Sequence, residues 1–135
     1  MDMSLDDLKK RLRQVDVMIV EDDQAQCEEL RDFLDWSRVT YHVVNDGLSA
    51  LEALEQLEPK VLILDIRLPG VDGIHVAKEV AKRPNPPVTI LVSGHMDSVI
   101  EANESPAQRF RVIEKPVDLR LIGRFIHDAL EKKPA

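Results

Sequence analysis

The sequence predicts an α/β domain built on a doubly wound, five-stranded parallel sheet, with an extra helix ahead of the first strand. Three observations lead there. Short apolar runs rich in β-branched residues recur at Val17 to Val20, Val61 to Leu64 and Val88 to Val92, the pattern of strands covered on both faces. Helix-length stretches with apolar residues three and four apart lie between the strand candidates. Strand and helix alternate five times, counting weaker strand candidates at Val39 to Val44 and Phe110 to Ile113, which points to α/β rather than α+β.

Ser4 and Asp7 are spaced like a capping box, and Leu5, Leu8, Leu12 and Val15 recur at helical spacing among Asp, Lys and Arg. They predict an amphipathic helix over residues 1–15, ahead of a domain over 16–133. This helix can pack on its own domain, fray, or pair with a helix of another molecule. After the first strand, Cys27, Leu30, Phe33 and Leu34 mark the first helix of the domain. Asp46-Gly47 separates the second strand from the helix of Leu48, Leu51, Leu54 and Leu57. Pro69-Gly70 suits a turn with glycine at a positive-φ position, and Asp72 can cap a helix that begins near Gly73 and carries Ile74, Val76, Ala77 and Val80. Pro84, Pro86 and Pro87 stop that helix before strand four. Asn103-Glu104-Ser105-Pro106 predicts a short or irregular fourth helix, and Leu119, Ile122, Phe125, Ile126 and Leu130 a regular last one.

The 135 residues, 44% of them hydrophobic, suffice for one sizeable core and leave no room for a second domain. A net charge of −7 disfavours binding to nucleic acid. The single cysteine, Cys27, falls in a helical stretch and reads as a small buried hydrophobe. A reducing cytoplasm is the expected compartment. The longest apolar runs are far too short to cross a bilayer, and no signal peptide or membrane anchor is expected.

In doubly wound sheets the site lies beyond the carboxyl ends of the strands. Strand one ends in Glu21-Asp22-Asp23, strand three in Asp65, strand four in Ser93 and strand five in Lys115-Pro116. Taken singly, such residues are commonly helix caps, turn residues or solvated charges. Together they form a constellation: converging carboxylates call for a hard divalent cation, Mg²⁺ in a cytoplasm, while an ammonium and a hydroxyl offer donors to a phosphoryl group.

With these residues in place, the chain from about Val17 to Leu130 resembles the receiver domains of two-component response regulators. Val20-Glu21-Asp22-Asp23 is similar to the family's acidic pair, with Asp23 as a helix cap. The run from Leu64 to Gly73 is similar throughout to the segment around the phosphoacceptor aspartate. Ser93-Gly94 and Lys115-Pro116 fall in the places of the family's hydroxyl and lysine. The resemblance implies a flavodoxin-like fold and a stand-alone, chemotaxis-regulator-like bacterial phosphoprotein. It implies that Asp65 takes a phosphoryl group from a histidine kinase or a histidine phosphotransfer protein, with no enzymatic role beyond catalysing its own phosphorylation and dephosphorylation. Asp22, Asp65 and the carbonyl of Arg67 would then hold Mg²⁺, with Glu21 reaching it largely through water. Ser93 would bond a phosphoryl oxygen, and Lys115 would pair with Asp65 before transfer and with the phosphoryl group afterwards.

The family's usual reading surface, formed by the fourth domain helix, strand five and the last helix, would carry Met96, Val99, Ile100, Val112, Arg120 and Arg124. There the chain would switch a downstream protein partner or relay its phosphoryl group, as a monomer or homodimer. Val112 stands where the family often has an aromatic ring, so the expected switch is displacement of backbone and helix; Phe110, two residues earlier, points the same way by strand alternation. Arg67 and His95 look like the positions at which the family modulates loss of phosphate, and His95 reads equally as an ordinary exposed loop residue. A phosphohydrolase of the haloacid dehalogenase type needs a second aspartate two residues after the first, and Arg67 stands there. A receiver-like module that is never phosphorylated would lack a pocket acid or the lysine, and this chain keeps them all.

Overall fold

The β-branched runs form the strands, and the stretches with helical spacing pack against them. A computed structural model describes residues 3–94 and 110–131. In chain order its elements are α1 (Leu5–Arg13), β1 (Gln14–Val20), α2 (Gln24–Ser37), β2 (Tyr41–Val44), α3 (Gly47–Gln56), β3 (Glu58–Asp65), α4 (Gly73–Ala81), β4 (Val88–Ser93), β5 (Arg111–Glu114) and α5 (Leu119–Glu131). The expected fourth domain helix, with His95, Met96, Val99 and Ile100, lies outside the described residues.

The five strands run parallel in the order β2-β1-β3-β4-β5. The chain leaves β1 toward β2 and then crosses back to β3 on the other side, so the strand order reverses between β1 and β3. That reversal is where such sheets open a crevice at their carboxyl ends. Strand alternation divides the core into two layers. Met18, Val20, Leu62, Leu64 and Leu91 face α3 and α4, meeting Ala50, Leu54, Val76 and Val80. Val17, Ile19, Val61, Ile63 and Ile90 face α2 and α5, meeting Leu30, Leu34, Ile122 and Ile126. Each large side chain buried this way contributes about 1.5–3 kcal/mol.

Aspartate caps begin α2, α3 and α4, and Asp118 accepts likewise from the Arg120 N–H ahead of α5. Asp23, Asp46 and Asp72 accept from the backbone N–H groups of Gln26, Ser49 and His75 at 3.0, 2.7 and 2.9 Å. The caps fix where α2, α3 and α4 start, at the rim where the strands end. Gly70 takes the positive φ expected of it, 75°.

Several boundaries differ from the sequence expectation. The helix ends at Arg13, and Val15, assigned by its spacing to the helical seam, is a buried residue of β1 opposite Pro59 of β3. Both strands extend toward their amino ends because the β1–β3 ladder starts at Gln14 and Glu58. The second strand is shorter than expected. Ahead of it, Thr40 accepts from the Val17 N–H on its carbonyl and from the Asp16 N–H on its hydroxyl, while donating its own N–H to the Asp16 carboxylate.

Candidate functional site

The carboxyl ends of β1, β3, β4 and β5 meet at one rim of the sheet. Glu21 follows β1, Asp65 ends β3, Ser93 ends β4 and Lys115 follows β5. Glu21, Asp65 and Ser93 are buried, Lys115 is half-buried and Asp22 is exposed. The Lys115 ammonium donates to Asp65 Oδ2 at 3.0 Å and to Glu21 Oε1 at 3.2 Å. Glu21, Asp22 and Asp65 each place a carboxylate oxygen within 4.8 Å of the others. Strand-end residues separated by as many as 94 positions in sequence are thereby brought into one cluster.

Backbone donors fix the carboxylates further. Asp65 Oδ1 accepts from the Arg67 N–H at 3.1 Å, and Glu21 Oε2 accepts from the Asp23 N–H at 3.2 Å. The loop after β3 is held tightly, since Gly73 N–H donates to the Ile66 carbonyl at 2.8 Å. A Cβ on Gly73 would lie 2.1 Å from the Asp65 carbonyl oxygen, so only glycine lets α4 start this close to Asp65. β5 is tied in by the Lys115 N–H, which donates to the Ser93 carbonyl at 2.8 Å, and the Lys115-Pro116 peptide is cis.

The electrostatics follow from crowding. Burial pushes the Glu21 carboxyl from 4.5 up to about 7, reinforced by the hydrogen bond to Asp65 and that residue's charge. The Asp23 N–H and Lys115 pull the other way without compensating. For Lys115, burial works against the charged form, but the hydrogen bonds and charges of Asp65 and Glu21 outweigh it and raise its pKa. Of the three clustered carboxylates, Glu21 and Asp65 thus share the Lys115 ammonium and Asp22 adds a further negative charge beside them. That donor set, all hard oxygens with excess negative charge and one edge open through exposed Asp22, fits a divalent cation such as Mg²⁺. Arg67, expected to lend its carbonyl, is exposed in the loop directly after β3.

Sequence reasoning passed over two positioning residues. Asn45 Nδ2 donates to the Glu21 carbonyl at 3.0 Å, joining the end of β2 to the acidic pair. Its only signal was its place between strand two and the Asp46 cap. Gly73 was legible as a helix start, but its approach to Asp65 is a tertiary contact. Cys27 is buried, and its thiol donates to the Glu21 carbonyl at 3.3 Å. Burial, followed by the charge of Glu21, raises its pKa. Among the described residues, no helix is long and apolar enough to cross a membrane.

Residues 17–127 match the family model described as response regulator receiver domain. The positive alginate biosynthesis regulatory protein of Pseudomonas aeruginosa is 35% identical over 106 residues, covering 76% of this chain and 42% of that protein. The transcriptional regulatory protein ZraR of Klebsiella oxytoca is 31% identical over 120 residues, covering 87% of this chain and 26% of that protein. The chain therefore spans less than half the length of these two relatives. Among solved structures, the signal receiver domain of an HD domain-containing protein from Pseudomonas fluorescens superposes with a TM-score of 0.78 at 23% identity, over 88% of this chain and 96% of that one. At that identity the likeness concerns the fold.

Proposed function

This chain belongs to the response regulator receiver domain family, and from that premise we propose that Asp65 is its phosphoacceptor, loaded with the help of Mg²⁺. The observation that carries the reading is the Lys115 ammonium, 3.0 Å from Asp65 Oδ2 at a rim where three carboxylates converge. An Asp65 oxygen attacks the phosphorus of a phosphohistidine on a sensor kinase or phosphotransfer protein. The P–N bond breaks as the P–O bond forms, and the imidazole leaves with the electron pair and takes up a proton. Phosphoryl transfer of this kind needs positioning and charge neutralisation more than a further base.

Asp22, Asp65 and the Arg67 carbonyl would hold Mg²⁺, whose part is to offset charge on the phosphoryl oxygens. Glu21, engaged by Lys115 and the Asp23 N–H, shapes the pocket and adds to its charge. Lys115 orients Asp65 before transfer and bonds the phosphoryl group after it, and Ser93 donates its hydroxyl to a phosphoryl oxygen. Because Ser93 ends β4 and Lys115 directly follows β5, their rearrangement reaches the outer surface. A downstream protein would read the state there, on β5 and α5. Arg111 stacks on Phe125 at 4.7 Å, and Arg120 and Arg124 are exposed at this face. Val112 and Phe110 both pack into the core layer shared with α3 and α4, so the proposed change is a displacement of strand and helix rather than an outward ring turning inward. The cytoplasm is the matching compartment.

Incubation with acetyl phosphate and Mg²⁺ followed by intact mass measurement tests the reading. The expected result is one added phosphoryl group on the wild type and none on Asp65→Asn, with the fold kept. Uptake by the Asp65→Asn protein at the wild-type rate would overturn the assignment.

A further inference from the structure

We propose that α1 is a self-association element that pairs antiparallel with α1 of a second copy of this chain. None of its residues is buried, and Leu5, Leu8 and Leu12 are 66%, 43% and 72% exposed. Their spacing, i, i+3 and i+7, places them in one stripe of the kind that forms the seam between two helices. Solvent-facing leucines in such a stripe are unusual on a nine-residue helix that is otherwise mostly charged.

The charges around the stripe say what covers it. Asp6 and Asp7 occupy the first turn, and Lys10, Arg11 and Arg13 the last. A parallel pair would set acid against acid and base against base. An antiparallel pair sets the acidic turn of each copy beside the basic turn of the other and also opposes the two helix dipoles. The surface is complementary to itself, as a two-fold contact requires. α1 runs directly into the amino end of β1, whereas Asp65 ends its strand at the opposite rim. The pairing therefore leaves the acidic cluster accessible. A seam of this length falls well short of the roughly 1,200 Å² of a standard stable interface, so the dimer is weak, with Kd on the order of 10⁻⁴ M.

Sedimentation velocity on the whole chain, from about ten micromolar to about one millimolar, spans that range. The wild type is expected to shift reversibly from monomer to dimer, more strongly at low salt. Leu8→Ser with Leu12→Ser should remain monomeric with an unchanged melting temperature, because both side chains lie outside the core. Asp6→Lys with Asp7→Lys should weaken the dimer about tenfold at low salt. Adding Lys10→Glu and Arg11→Glu to that variant should restore it. In a parallel pair the first change would merely exchange one repulsion for another, so loss followed by recovery singles out the antiparallel arrangement. A wild type that stays monomeric throughout overturns the proposal, as does a dimer that survives the leucine changes or ignores the charge reversals. A monomer destabilised by Leu8→Ser and Leu12→Ser overturns it too, because the stripe would then be packing on its own domain.

Discussion

At the amino end of the sheet, Asp16 and Thr40 exchange hydrogen bonds, Arg13 donates to the Glu55 and Gln56 carbonyls, and Arg83 donates to the Leu54 carbonyl. At the carboxyl end, Glu21, Asp22 and Asp65 crowd together, and the Lys115 ammonium pairs with Glu21 and Asp65. The first arrangement gives each polar group a partner that stabilises it. The second leaves an excess of negative charge that a cation or a phosphoryl ligand relieves. Stability is thus built at one rim and given up at the other, where the chemistry is.

The largest effect that sharpens this contrast should come from Glu21. Its folded pKa of about 7 lies above the ordinary 4.5, so the native state holds the proton more tightly than the unfolded chain. The stability that goes with the protonated group is fully present below pH 4.5 and lost as pH rises through 7. Glu21→Gln, which stays neutral, should match the wild type in acid and exceed it above pH 7 in metal-free buffer. The gain approaches about 3 kcal/mol, the order of magnitude of such a shift. Urea denaturation at several pH values reads the difference directly. Equal stability of the two proteins above pH 7 would show that the carboxyl rim is not strained by charge.

The second test asks whether a cation reverses that strain. Mg²⁺ should stabilise the wild type by an amount that grows with the logarithm of its concentration once the site fills, about 1.4 kcal/mol at ten times its dissociation constant. Asp22→Ala should erase the response. Asp22 is the exposed member of the three, so its loss leaves the core untouched. A thermal shift on adding Mg²⁺ that persists in the variant would move the cation elsewhere.

How much of this was visible in the sequence differs between the same two rims. Glu21, Asp22, Asp65, Ser93 and Lys115 could be placed together because strand ends in a parallel sheet converge, and the apolar runs identify the strand ends. The aspartate caps at positions 23 and 72 were equally legible, because they act within a few residues of themselves. The amino rim was not. Val15 reads as helical by spacing, and only its pairing opposite Pro59 puts it in a strand. Arg13 and Arg83 look like ordinary surface charges, since the carbonyls they reach lie tens of residues away, at the end of α3. Local patterns encode caps and strands; contacts between distant turns leave no periodicity to read.

Arg83 should account for the next effect. It is half-buried and covers the Leu54 carbonyl near the end of α3, one of the groups that no helical partner satisfies. Arg83→Ala is expected to cost about 1 kcal/mol, seen as a lower urea midpoint with an unchanged slope. An unaltered midpoint would mean that solvent satisfies that carbonyl as well as the arginine does.

Arg13→Ala should have the smallest effect on stability and the most local one. Its guanidinium reaches the Glu55 and Gln56 carbonyls at 3.2 and 3.4 Å from an exposed position, where such bonds contribute about 0.5 kcal/mol or less. Yet α1 buries no residue of its own, so among the described residues its side-chain hydrogen bond to the rest of the fold runs through Arg13. Removing it should leave the melting temperature almost unchanged while hydrogen exchange accelerates across Leu5–Arg13 and stays at its wild-type rate in β1. A stability loss equal to that of Arg83→Ala would make α1 part of the cooperative fold. Faster exchange confined to α1 would instead mark it as a separately held appendage, oriented by one arginine and free to meet a second molecule.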